Sequence, residues 1–207
     1  MQSELIDGLL RSYLEIPARL TWEGGPVDLV RGVFRNASLE LGGIATRWLN
    51  LERVVVRGTR VAFEPGVPAR IHVNEPRVVI SLGQAEVDRW LNRSEFPFKL
   101  VLGKDGLVLR ARLAGFPLGE FETRLRVSNG WFVLEPQRAS VLGVPGFVPP
   151  LLRSYLPLPP LTDETRVGAI EHAPGRITIT LEIEDFEERV TPGLLGRFRS
   201  RVLPFGR

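Results

Sequence analysis

Proton transfer, metal ligation and nucleophilic attack each need particular side chains at particular spacings, and this 207-residue chain offers few of them. Cysteine is absent, which excludes disulfides, thiolate nucleophiles and thiolate metal ligands. The two imidazoles, His72 and His172, stand alone without a metal-spaced partner, so each reads as a surface or capping histidine rather than a ligand or a base. Glu184, Asp185, Glu187 and Glu188 are clustered carboxylates, and their clustering reads as a solvated strand end rather than a catalytic pair in a cleft. No Gly-x-Ser-x-Gly elbow, His-Glu-x-x-His pair, Walker loop or Gly-x-Gly-x-x-Gly turn occurs. The chain therefore reads as a non-enzyme with no cofactor.

Charge gives the next constraint. There are 27 basic residues, all arginine except Lys99 and Lys104, against 24 acids, for a net charge of +3. Basic and acidic residues alternate except at the C-terminal end, and the aromatics are too scattered for a base-stacking platform, so nucleic acid is not the expected partner. No apolar run approaches the roughly 18 residues of a spanning helix, and Met1-Gln2-Ser3-Glu4 lacks a signal peptide's basic start. The expected location is cytoplasmic or peripheral to a membrane.

The central stretch runs from Ala69 to Phe98. Ile71, Val73, Val78 and Ile80 alternate about Pro76 as in a half-buried strand. Ser81-Leu82-Gly83-Gln84 fits a capping box, with Ser81 as N-cap. A helix then carries Val87, Trp90 and Leu91 on one stripe. Ahead of it, Leu5, Ile6, Leu9, Leu10 and Tyr13 predict an amphipathic N-terminal helix capped by Ser3, and Val27 to Glu64 predicts at least three strands. Behind it, Phe98 to Leu102, Leu107 to Leu113, Phe121 to Val127 and Trp131 to Leu134 predict hairpins, with an arginine-rich outer face read as solvated surface. Lys104-Asp105-Gly106 and Ser128-Asn129-Gly130 supply turn residues that tolerate positive φ. In the proline-rich segment Gly143 to Leu161, a short helix starting at Pro150 would place Leu151, Leu152, Tyr155 and Leu156 on one stripe. A final hairpin joins Arg166 to Ile170 with Ile177 to Ile183 about Ala173-Pro174-Gly175.

The order of these elements resembles the LmeA-like phospholipid-binding family, related to the tubular lipid-binding (TULIP/BPI-like) superfamily. The likeness is carried by Leu39-Glu40-Leu41-Gly42-Gly43 with the strand Val54 to Phe63, by Val78-Val79-Ile80-Ser81 entering Ala85 to Asn92, and by Leu156-Pro157-Leu158-Pro159-Pro160-Leu161 leading into the final hairpin. Members are often exported or anchored at the N-terminus, and this sequence shows no such segment. The resemblance implies an α+β, β-rich fold: a strongly curved antiparallel sheet wrapped with two to four short helices around an elongated apolar groove for acyl chains. It implies binding or shuttling of phospholipid or another acyl-chain lipid. With the apolar helical stripes, it puts Trp90, Leu91, Phe147, Leu151, Leu152 and Tyr155 at the lipid. A structural or adaptor protein with a filled β core, binding a protein partner at the membrane, is the alternative; an enzyme acting on lipid-linked glycans is a third, weaker reading.

Residues 1–190 read as a single lipid-binding-like domain and residues 191–207 as a basic amphipathic helix. Thr191-Pro192 opens it, Leu194, Leu195 and Phe198 share an apolar side, and Arg197, Arg199 and Arg201 lie between them. This segment has four arginines and no acid, which suits contact with an anionic membrane surface. Three arginines at about 1 kcal/mol each predict that ending the chain at Val190 weakens co-sedimentation with anionic vesicles on the order of a hundredfold at low salt. Equal binding of full and truncated chains would show that the segment is a helix docked on the fold.

Overall fold

A computed structural model describes residues 7–8, 17–45, 50–93, 98–113, 116–128, 131–141, 144–146, 153–157 and 164–189. In chain order the elements are β1 (Ala18–Glu23), α1 (Pro26–Val30), β2 (Val33–Ala45), β3 (Asn50–Glu64), β4 (Arg70–Asn74), β5 (Arg77–Gly83), α2 (Gln84–Arg93), β6 (Phe98–Leu102), β7 (Leu107–Leu113), β8 (Phe116–Ser128), β9 (Trp131–Val141), β10 (Val144–Gly146), β11 (Ser154–Pro157), β12 (Thr165–Ala173), β13 (Arg176–Ile183) and β14 (Phe186–Arg189). They form an eight-stranded sheet ordered β1-β2-β3-β5-β13-β12, in which β4 pairs with β3 and β14, and a six-stranded sheet ordered β10-β9-β8-β7-β6, in which β11 also pairs with β9.

The β-rich, antiparallel class is as the alternation predicts. The single strongly curved sheet is not found: there are two sheets, and neither is strongly curled. The links joining β6 to β7, β7 to β8 and β8 to β9 are two to four residues long, so these strands pair with their sequence neighbours and form a sheet of their own. By backbone contacts the chain divides into two units, one of Met1–Ile80, Pro160–Ala169 and Thr180–Arg207, the other of Ser81–Pro159 and Ile170–Ile179.

In the first unit, β2 and β3 are long strands of 13 and 15 residues where the punctuation predicted shorter ones, and Val27 lies in the single-turn helix α1. The punctuating residues bend strands without ending them. Asn36, at φ 44°, sits where β2 gains a residue against β1, and its amide donates to Glu23. Opposite this bulge, Trp22 is buried and meets Phe34 edge to face. Gly58 leaves room for β4 beside β3, since a Cβ there would lie 2.9 Å from the Val73 side chain.

The run Arg70 to Gly83 is likewise two strands, both paired with β3 and separated at Glu75-Pro76. Pro76 has no N–H to give a ladder, and Glu75 takes φ 47°. Asp185, between β13 and β14, accepts hydrogen bonds from the Glu75 amide at 2.6 Å and the Asn74 side chain at 2.8 Å, and the Ile183 amide donates to the Pro76 carbonyl. A carboxylate from the acidic run thus satisfies the break in the neighbouring strand.

In the second unit α2 does what its stripe predicts. Val87 and Leu91 are buried with Leu102, Leu107 and Ile177, and Trp90 packs half-buried beside them with Leu100, Leu125, Leu134 and Ile170. The helix does not begin as the sequence suggests. Ser81 is not an N-cap, because β5 continues to Gly83 and the helix opens at Gln84. The Gln84 side chain accepts from the Leu102 amide at 2.7 Å and donates to the Leu100 carbonyl and to Asp88, while its backbone amide donates to the Gly175 carbonyl. Bonds from β6 and the β12–β13 turn replace the local box.

Two further expectations change. Gly106 is required for close approach rather than for positive φ, since a Cβ there would sit 2.2 Å from the Thr123 carbonyl oxygen. Residues Ser154–Pro157 are a strand on β9 and not the end of a helix; pairing with β9 gives this proline-flanked segment backbone partners that a short helix from Pro150 to Leu156 would leave unmet. The N-terminal helix is described only at Asp7 and Gly8, both helical; Asp7 is buried and accepts from the Leu20 amide at 2.8 Å. The account of the α2 start predicts that Gln84→Ala costs about 1–3 kcal/mol, because the Leu102 amide loses its acceptor, while Ser81→Ala costs under about 0.5 kcal/mol. Denaturant midpoints of the two variants measure the contrast.

Candidate functional site

The register of the six-stranded sheet sorts its side chains into two faces. Leu100, Leu109 and Phe121 share one row, Leu102, Leu107 and Thr123 the next, and Leu125 and Leu134 a third. This is the core side, where Thr123 is buried and its hydroxyl donates to the Leu107 carbonyl. The alternate residues form the outward face. Its rows are Lys99, Arg110, Glu120 and Ser140; Val101, Val108, Glu122 and Arg138; Arg124 and Glu135; then Arg126, Val133 and Tyr155.

The acids on this face all have arginine partners. Arg110 contacts Glu120 at 2.8 Å, Arg138 contacts Glu122 at 4.0 Å, and Glu135 lies between Arg126 at 3.6 Å and Arg153 at 3.7 Å. Such exposed pairs contribute little to stability, about 0–1 kcal/mol each. Their effect here is on charge distribution: Lys99 and Arg124 form no ion pair among the described residues, and the face keeps a cationic excess. At one end Trp131 and Tyr155 are 44% and 56% exposed around the buried Val133. Near the β6–β7 turn a depression of about 320 Å³ is lined by Lys104, Asp105, Glu122, Arg124, Arg138 and neighbouring backbone.

A one-residue bulge shapes this region. Glu122 pairs with Arg138 but Thr123 with Pro136, so Gln137 is the extra residue of β9. Pro136, which has no donor, falls at the bulge, where its missing hydrogen bond is tolerated.

The sequence-predicted lipid residues are placed separately. Leu91 is a core residue at 5% exposure, Trp90 flanks the same core, and Tyr155 is on the outward face. Phe147, Leu151 and Leu152 lie outside the described residues, as do Leu194, Leu195, Arg197, Phe198, Arg199 and Arg201. The structure therefore brings Trp90 and Leu91 together and does not join them to Tyr155 through a helical stripe. Lys99, Arg124 and Trp131 were not singled out by sequence reasoning. The alternation of arginine with leucine signalled a charged face, but only the strand register shows which charges are matched.

In the first unit, His72 lies 3.5 Å from Glu64 and 3.8 Å from Glu187, and Arg70 contacts Glu187 at 2.9 Å. This is a cross-strand charge cluster on β3, β4 and β14. The Nε2 atom of His172 is buried without a hydrogen-bond partner among the described residues. Among those residues no group of three or more histidines and carboxylates could hold a metal ion, and no helix is long and apolar enough to cross a membrane. Comparison with known protein families, curated proteins and solved structures finds no match for the chain.

The packing around α2 predicts that Leu91→Ala destabilises the protein by about 2–5 kcal/mol through lost burial and a residual cavity. A denaturant midpoint unchanged from the parent would return Leu91 to the list of ligand-facing residues.

Proposed function

We propose that this protein is a non-enzymatic phospholipid-binding or shuttling protein that contacts membranes peripherally, as its resemblance to the LmeA-like family implies. One observation carries the reading. Of the nine exposed large apolar side chains among the described residues, Trp131, Val141, Val144 and Tyr155 all lie on β9 and its partners β10 and β11, with Leu118 on β8. The first four form two groups, Trp131 and Tyr155 where β9 begins and Val141 and Val144 where it ends; exposed apolar surface such as the Trp131–Tyr155 pair marks contact with lipid or protein rather than with water. In sequence, β10 and β11 bracket the apolar segment that holds Phe147, Leu151 and Leu152. Burying such side chains against acyl chains contributes roughly 25 cal/mol per Å² of apolar area.

The finer architecture in this reading is an elongated apolar groove bordered by Trp90, Leu91, Phe147, Leu151, Leu152 and Tyr155; of these, Leu91 is buried in the core and Tyr155 is on the outward face. The filled cluster around Val87 and Leu91 favours the alternative, a structural or adaptor protein that binds a protein partner at the membrane. Native mass spectrometry separates the two. Lipid binding predicts phospholipid masses retained on the purified protein and lost when Leu151→Asp and Leu152→Asp are combined, with far-UV circular dichroism unchanged. Lipid-free protein from a membrane-containing extract, or equal lipid content in parent and variant, would contradict the groove.

A further inference from the structure

We propose that the outward face of the six-stranded sheet is a docking surface for anionic phospholipid membranes. The proposal rests on the lipid-binding reading and assigns the membrane-facing surface within it.

Charge complementarity selects the partner. The face carries six cations, from Lys99 and five arginines, against three carboxylates, which leaves an excess of three positive charges. The carboxylates are already engaged by arginines, so Lys99 and Arg124, joined by Lys104 at the adjacent turn, remain to meet external anions. Lys104, Arg124 and Arg138 also contribute to the depression of about 320 Å³. That volume falls at the lower end of the range of ligand pockets, a scale suited to a headgroup phosphate; its three cations exceed by one the carboxylates that also line it, Asp105 and Glu122.

Shape and composition favour a lipid surface over a nucleic acid. The sheet is not strongly curled, and its cations are spread over strands β6 to β9 rather than along one groove. Glu120, Glu122 and Glu135 interrupt any continuous track for a phosphate backbone. The exposed aromatics are grouped at one end, where Trp131 and Tyr155 flank Val133. Amphipathic rings of this kind settle at the headgroup level of a bilayer, whereas strand binding needs aromatics repeated along its path.

The test is co-sedimentation of the full chain with phosphatidylcholine vesicles and with vesicles that also contain phosphatidylglycerol, at low salt and at high salt. The parent is expected to bind the phosphatidylglycerol vesicles at low salt and to release them at high salt. Replacing Lys99, Lys104 and Arg124 together with Gln removes no ion pair found among the described residues, and should weaken that binding on the order of a hundredfold. Trp131→Ala, with every charge retained, should also lower partitioning. A parent that ignores anionic vesicles, or a triple variant that binds them unchanged, overturns the docking face; so does a parent that prefers a single-stranded oligonucleotide to vesicles. Co-purified phospholipid is measured separately. Retained lipid with unchanged vesicle binding removes the face and keeps the lipid-binding reading, whereas charge-dependent docking without carried lipid keeps the face and removes uptake.

Discussion

The arrangement of the second unit depends on one packing contact, the burial of Val87 and Leu91 from α2 against Leu102, Leu107 and Ile177. A pleated sheet with one apolar face needs a cover, and α2 is the ten-residue helix that provides it. The helix is held at its start by polar bonds rather than by its own sequence. Gln84 satisfies the Leu102 amide and the Leu100 carbonyl, and Gly175 bridges Gln84 and Leu102 through its backbone. Apolar burial and hydrogen bonding therefore both tie the helix to β6, through Leu102.

Once that face is covered, the pleat assigns every alternate residue to the other side. Arg110, Arg124, Arg126 and Arg138 are placed outward by the same alternation that places Leu109, Leu125 and Leu134 inward. The bulge at Gln137 keeps this sorting intact across Pro136. A charged sheet face is commonly only solvated surface; here Lys99 and Arg124, which form no ion pair among the described residues, share the face with exposed Trp131 and Tyr155, and the proposed docking rests on that combination. The fold itself supplies this two-sidedness: a filled cluster around Val87 and Leu91 holds one side, and the proposed docking uses the other.

Strands and hairpins were legible wherever alternation ran unbroken, as in Leu107 to Leu113 and Ile177 to Ile183, and the stripe of α2 was legible from Val87, Trp90 and Leu91. What was misread depended on partners distant in sequence. Ser81 looks like an N-cap locally, but the bonds that start the helix come from Leu100, Leu102 and Gly175. Ser154 to Pro157 looks helical by spacing, but β9 offers a strand partner. Glu75 and Pro76 split a strand because Asp185, about 110 residues away, satisfies the break. The candidate site was partly legible: Tyr155 and an arginine-rich face were visible, while the matching of Glu120, Glu122 and Glu135 to particular arginines required the register.

The most direct measurement of the central claim is indole quenching by phospholipid brominated in its acyl chains. On vesicles containing phosphatidylglycerol, the account predicts that emission of the parent protein is quenched and that Trp131→Phe removes that quenching. Vesicles of phosphatidylcholine alone should quench neither protein. Equal quenching of the parent and Trp131→Phe would contradict the account, because it would place the membrane contact away from the outward face of the six-stranded sheet.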